Sequence, residues 1–168
     1  MKLVIFSDNH RNRENILEMM KLEQDVDRYL SLGDSEMSEV ELSNLGIIGV
    51  RGNYPFEPAF PDELLFDFDG WKILLVHGHL LSVKMGVSRL YHYGLSKQAD
   101  IACFGHTHIP YLEDLGEITL LNPGSIAMPK GKHYPSYARM TITERKCLIE
   151  IIDLYSHTLI DSLTITRR

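Results

Sequence analysis

Apolar positions along the chain fall into short runs, each cut off by a small polar cluster. KLVIF (residues 2–6) is rich in branched and aromatic residues and stops at SDNHRN, which predicts a buried strand. Ile16, Leu17, Met19 and Met20 then recur at helical spacing. RYLSLGD (residues 28–34) reads as a second buried strand ending in Gly-Asp, followed by a polar segment of helical character. IIGVRGN (residues 47–53) is a third strand, ending in Gly-Asn. Residues 64–79 predict a hairpin turning on Asp69-Gly70. A helix is expected over 84–98, and DIACFGHTH is another strand with a polar end.

From Glu117 onward the pattern is β throughout. ITLLNPGS, SYARMTI, CLIEIIDL and TLIDSLTI are the runs, with TERK turning the chain between the second and third. Strand–helix–strand first and strands later predict two β layers with helices packed outside. The chain is therefore expected to form one α/β domain over residues 1–168.

The polar clusters carry the chemistry. Five apolar runs end in SDNH, GDS, GNY, HGH and GHTH, and five of the eight histidines (His10, His77, His79, His106, His108) lie in them. Sites in open α/β sheets form at the carboxyl ends of strands, so parallel strands would gather these clusters at one edge. Asp8, His10, Asp34, Asn53, His77, His106 and His108 then supply two carboxylates, one amide oxygen and four imidazoles. That is more than one ion takes, but two ions sharing a carboxylate use it naturally. Mixed nitrogen and oxygen donors without thiolate point to manganese, iron, zinc or nickel rather than calcium or an iron–sulfur cluster. Two such ions roughly 3.5–4 Å apart clamp a transferring phosphoryl group.

His106 and His108 are expected in extended chain, where a period of two aims both at the site, one toward each ion, with Thr107 facing away. Gly33, Gly52 and Gly105 are expected to let strand ends turn sharply. NPGS (residues 122–125) reads as a structural turn, either presenting backbone N–H groups or packing beneath Asp8.

Composition narrows the partners. A net charge of −6 argues against a nucleic-acid polymer but leaves room for a small phosphorylated substrate. Cys103 and Cys147 sit in apolar runs and read as buried, reduced thiols. No run approaches a membrane span or a signal-peptide core, so the expectation is a cytoplasmic protein without a membrane partner. Phe56, Phe60, Tyr91 and Tyr93 are candidates for a homo-oligomer surface or for the core.

The motif series D-x-H, G-D, G-N, H-G-H and G-H-x-H resembles that of the calcineurin-like metallophosphoesterase superfamily. SDNH, VRGN, LVHGH, FGHTHIP and NPGSIAMPKG are similar to the small YfcE-type phosphodiesterase branch. The resemblance implies a four-layer sandwich of two mixed sheets flanked by helices. It implies that Asp8, His10 and His108 hold one metal, that Asn53, His77 and His106 hold the other, and that Asp34 bridges them. It further implies in-line attack on phosphorus by a hydroxide bridging two divalent ions, Mn2+ foremost with Zn2+, Fe2+ or Ni2+ as alternatives.

Two departures stand out. Arg11 occupies the place of the usual glycine and could contact phosphate or narrow entry, and Tyr54-Pro55 follow the asparagine where the branch commonly has Cys-Asp. Tyr54 and His79 are the candidate proton donors to the leaving group, with a tyrosine of ordinary pKa near 10 a sluggish one. The leading expectation is hydrolysis of a small phosphodiester. A phosphomonoesterase is the alternative enzyme, and a protein-binding scaffold like the retromer subunit of the same fold is the non-enzymatic one.

Overall fold

The structure is a computed structural model that describes residues 1–56 and 59–167. Fourteen elements in chain order define it: β1 (Lys2–Phe6), α1 (Arg13–Leu22), β2 (Arg28–Ser31), α2 (Glu39–Asn44), β3 (Ile47–Gly49), β4 (Glu63–Phe68), β5 (Trp71–Val76), α3 (Ser88–Ser96), β6 (Ile101–Cys103), β7 (Pro110–Asp114), β8 (Thr119–Pro123), β9 (Ser136–Ile142), β10 (Lys146–Asp153) and β11 (Leu159–Thr166). They form a six-stranded sheet in the order β11-β10-β9-β1-β2-β3 and a five-stranded sheet in the order β4-β5-β6-β8-β7. β1, β2 and β3 run parallel, as do β5, β6 and β8, while the flanking pairs are antiparallel.

Alternation along the central strands builds three apolar layers. Leu3, Ile5 and Leu30 of the first sheet meet Ile73, Leu75, Ile101 and Leu121 of the second in the central core. Each such side chain contributes about 1.5–3 kcal/mol by leaving water. The opposite face of the first sheet puts Val4 and Phe6 against Ile16 and Met19 of α1 and Leu42 of α2. The opposite face of the second sheet puts Leu74, Ala102 and Leu120 against Leu90 of α3. The result is the expected four-layer α/β sandwich. Cys103 and Cys147 are both unpaired in the central core, where burial raises both thiol pKa values, that of Cys147 to about 12.

The helices start where local chemistry allows. Asn12 accepts the Asn15 N–H at the head of α1, and Ser38 and Glu41 form a reciprocal capping box at the head of α2. The expected 84–98 helix is shorter: Val83–Met85 is a single 3-10 turn, and Gly86 with φ of 127° breaks it from α3. β7 is unanticipated, because PYLED has no continuous apolar run; it is an edge strand with its outer residues exposed. Of the four candidate surface aromatics only Phe56 is exposed, at 76%. Phe60 packs on the α1 layer, and Tyr91 and Tyr93 pack on the α3 layer. No helix among the described residues is long and apolar enough to cross a membrane.

Candidate metal centre

The loops after β1, β2 and β3 in one sheet, and after β5 and β6 in the other, converge at one edge of the sandwich. The β1 and β2 loops stay paired beyond their strands, through Asp8 N–H to Gly33 O (3.0 Å), His10 N–H to Asp34 O (3.1 Å) and Arg11 N–H to Ser35 O (2.7 Å). The two sheets are tied across the site by the His106 N–H, which donates to Asp8 Oδ2 at 3.1 Å.

Two groups of ligand atoms result. Asp8, His10 and His108 form one and Asp34, His77 and His106 the other, each with its ligand atoms within 4.8 Å of one another. Asn53 joins the second, its Oδ1 lying 3.1 Å from His77 Nε2. All seven candidate ligands are thus brought together.

Three of the four imidazoles are held by the far nitrogen. His77 Nδ1 donates to Leu32 O at 2.7 Å, and His108 Nδ1 donates to Met128 O at 2.7 Å. His10 Nδ1 donates to Glu36 Oε1 at 2.8 Å. Carbonyl and carboxylate oxygens only accept, so these three rings carry hydrogen on Nδ1, and in the neutral ring Nε2 is the lone-pair nitrogen. Those nitrogens point at one another and at carboxylates. His10 Nε2 lies 3.4 Å from His108 Nε2, and His77 Nε2 lies 3.2 Å from His106 Nδ1. Asp8 Oδ1 is 3.1 Å from His108 Nε2 and 3.9 Å from both His10 Nε2 and His77 Nε2. It is buried and has no hydrogen-bond partner. Lone pairs facing lone pairs around a sealed carboxylate demand positive charge, so the donor set fits divalent cations.

The protonation equilibria show the same demand. Burial opposes charge on Asp8, but His108, His77 and Ser7 more than offset it and hold the carboxyl below its ordinary value. Asp34 is likewise opposed by burial, yet His77 and the Tyr54 N–H bring it down to about 2. Burial lowers the basicity of His77, but Asp34 and Asp8 reverse this and raise it; the Asp8 carboxylate 3.1 Å away raises His108. His106 goes the other way, to about 4, through burial and the neighbouring His77.

His106 and His108 are not in extended chain. β6 ends at Cys103, and both histidines take left-handed backbone, with φ of 67° and 62°. Successive turns, not strand alternation, send His106 to one group and His108 to the other, while Thr107 turns to Asn122. Asp8, His10, Arg11, Asp34 and Glu36 share that conformation, with φ between 41° and 67°, so strained backbone concentrates here. Two of the expected glycine turns also differ. Gly33 has φ of 99°, but Gly52 and Gly105 are needed for close approach. A Cβ on Gly52 would sit 2.0 Å from Asp34 Oδ1, and one on Gly105 would sit 2.0 Å from Ser7 Oγ.

The residues expected to touch substrate stand around this centre. Arg11 is exposed beside His10. Tyr54 uses its N–H on Asp34 Oδ1 (2.9 Å) and stacks edge-on with Phe56 at 5.5 Å. The His79 ring lies 5.3 Å from that of His77 and 6.1 Å from that of His106. Burial and His77 depress its pKa.

Several supports escape the sequence reading. Glu36 orients His10, and Ser7 Oγ donates to Asp8 Oδ2 at 2.5 Å. The NPGS segment braces the site through side chains. Asn122 donates to Gly105 O and Thr107 Oγ1, both at 3.0 Å, and Ser125 Oγ donates to Asp8 O at 2.9 Å. For Ser7, Asn122 and Ser125 the signal was position, as short polar residues beside a ligand or in the NPGS segment; Glu36 gave no such signal.

Residues 1–145 match the family model of the calcineurin-like phosphoesterase superfamily domain. The chain is 34% identical over 154 residues to a Bacillus subtilis protein named "Probable metallophosphoesterase YsnB", covering 91% of each. It is 32% identical over 105 residues to phosphodiesterase YfcE of Escherichia coli K12, covering 56% of this chain and 52% of that one. It superposes on the crystal structure of a conserved "predicted phosphoesterase" from Streptococcus pneumoniae TIGR4 with a TM-score of 0.87 and 28% identity, over 99% of this chain and 97% of that one. With the paired ligand groups at the sheet edge, these likenesses place the chain in the calcineurin-like phosphoesterase superfamily.

Proposed function

We propose that the protein is a metal-dependent phosphodiesterase that hydrolyses small phosphodiesters. The observation that carries this reading is the pair of ligand groups, with His10, His77 and His108 nitrogens facing Asp8 Oδ1. Asp8, His10 and His108 would hold one divalent ion and Asn53, His77 and His106 the other, with Asp34 shared between them and Mn2+ the first candidate. When bound, the ions supply Lewis acidity for the phosphate oxygens and an activated water for in-line hydrolysis.

The chain's own residues do the rest. Leu32 O, Met128 O and Glu36 fix the ring orientations, and the Tyr54 N–H fixes Asp34 by one oxygen and leaves the other toward His77 at 3.5 Å. Arg11 and Tyr54 would meet substrate oxygens. The His79 ring adjoins those of His77 and His106; its depressed pKa keeps it neutral at pH 7, which favours leaving groups that depart without a proton. The likeness to a protein named a phosphodiesterase supports the diester over the monoester.

The test is a paired rate assay on protein stripped of metal and reloaded with manganese. With bis(p-nitrophenyl) phosphate and p-nitrophenyl phosphate, the diester should have at least a tenfold higher kcat/KM. Asp34→Asn should lower it by about 10³-fold or more. A faster monoester would make the protein a phosphomonoesterase. No turnover of either, with both ions bound, would favour the scaffold.

A further inference from the structure

Two hollows adjoin the second ligand group and share Asp62, His79 and Leu80 in their linings. One, about 260 Å3, also includes Asn53, Tyr54 and Pro55. The other, about 440 Å3, reaches His77 and continues over Val76, Leu81 and Tyr93 between β5 and α3. Together they are the size of a site for a small organic group.

The charges in these walls are already matched. Asp62 is gripped by Arg51 through Nε at 2.6 Å and Nη2 at 3.0 Å. Glu63 lies between Lys97 Nζ at 2.5 Å and the Tyr93 hydroxyl. An entering carboxylate or second phosphate would lose hydration and find Arg51 already engaged by Asp62. The larger hollow is otherwise mostly apolar, through Val76, Leu80 and Leu81, and Leu80 is 65% exposed where the two hollows meet.

We propose that these hollows bind the organic group of the phosphodiester and select an uncharged, apolar one, an alkyl chain or an aryl ring, over a charged one. The inference rests on the phosphodiesterase reading for its reaction, but not for its binding chemistry. Leu80 sets the preference, because an apolar group laid on it removes an exposed leucine from water.

The experiment uses methyl, hexyl and 5-carboxypentyl p-nitrophenyl phosphates, which share one leaving group and differ only in the retained ester. The hexyl ester should exceed the methyl ester in kcat/KM by about tenfold or more. The carboxypentyl ester should lose that advantage. Leu80→Asp, at an exposed position, should reduce the hexyl ester's kcat/KM about tenfold more than the methyl ester's. Equal values for methyl and hexyl, or a preference unmoved by Leu80→Asp, would overturn the proposal. If no ester is hydrolysed by the metal-loaded protein, the phosphodiesterase reading fails. Calorimetry with hexylphosphonate and methylphosphonate then decides the pocket: about tenfold tighter hexyl binding supports it, and equal binding overturns it.

Discussion

Asp8 and Glu23 are both carboxylates sealed inside the protein, at 0% and 1% exposure, near opposite ends of β1. Glu23 is surrounded by donors that bring their own hydrogen and charge: Lys2 Nζ at 3.0 Å, Arg139 Nη1 at 2.9 Å and the Tyr137 hydroxyl at 2.9 Å. Asp8 keeps one oxygen satisfied by Ser7 and the His106 N–H, while the other faces imidazole nitrogens, the nearest at 3.1 Å, where Glu23 Oε2 faces an ammonium. One cluster is electrostatically closed and holds α1 to the sheet. The other is open to a cation. Burial alone therefore does not mark a functional carboxylate; the kind of neighbour does.

Substitutions can separate the two. Asp8→Asn should remove at least about 10³-fold of the phosphodiesterase rate, and with it the rise in Tm that manganese gives the native protein. A retained Tm response would place the ions elsewhere. Next in size, Glu36→Gln should weaken the ion at the Asp8 group about 10–100-fold, read by competition with a chromophoric chelator. The ion at the Asp34 group should be spared, whereas a merely structural Glu36 would weaken neither or both.

Glu23→Gln should do the reverse of Asp8→Asn. It leaves Arg139 and Lys2 without their buried partner and should cost about 2–3 kcal/mol in urea unfolding, with metal content unchanged. The smallest effect is in pH. Although burial raises the Glu23 pKa, its Lys2, Tyr137 and Arg139 partners lower it overall from 4.5. Its contribution is thus present above the unfolded value and lost as pH falls through the lower folded one. Metal-free protein should lose stability over that acid range, and Glu23→Gln should lose less of it.

The site was more legible in the sequence than the route by which the chain reaches it. Runs such as KLVIF and RYLSLGD announce buried parallel strands, and the polar residues at their ends fall together because parallel strands end on the same side. Residue type and order were enough to single out Asp8, His77 and His108, which the fold brings together. The turns were not legible. Nothing in GHTH says that His106 and His108 take left-handed backbone, because that conformation is stabilised by distant partners such as Asp8 and Met128. Glu36 was hidden for the same reason: it reaches His10 only because the β1 and β2 loops remain paired past their strands. β7 was missed because an edge strand needs no continuous apolar run.

The most direct test of the paired-ion account counts metal. Protein equilibrated with excess manganese, freed of loose ions and analysed by mass spectrometry should hold two ions per chain. His10→Ala and His106→Ala should each hold one. A single ion in the native protein, or both ions lost together in either variant, would contradict two separate ligand groups.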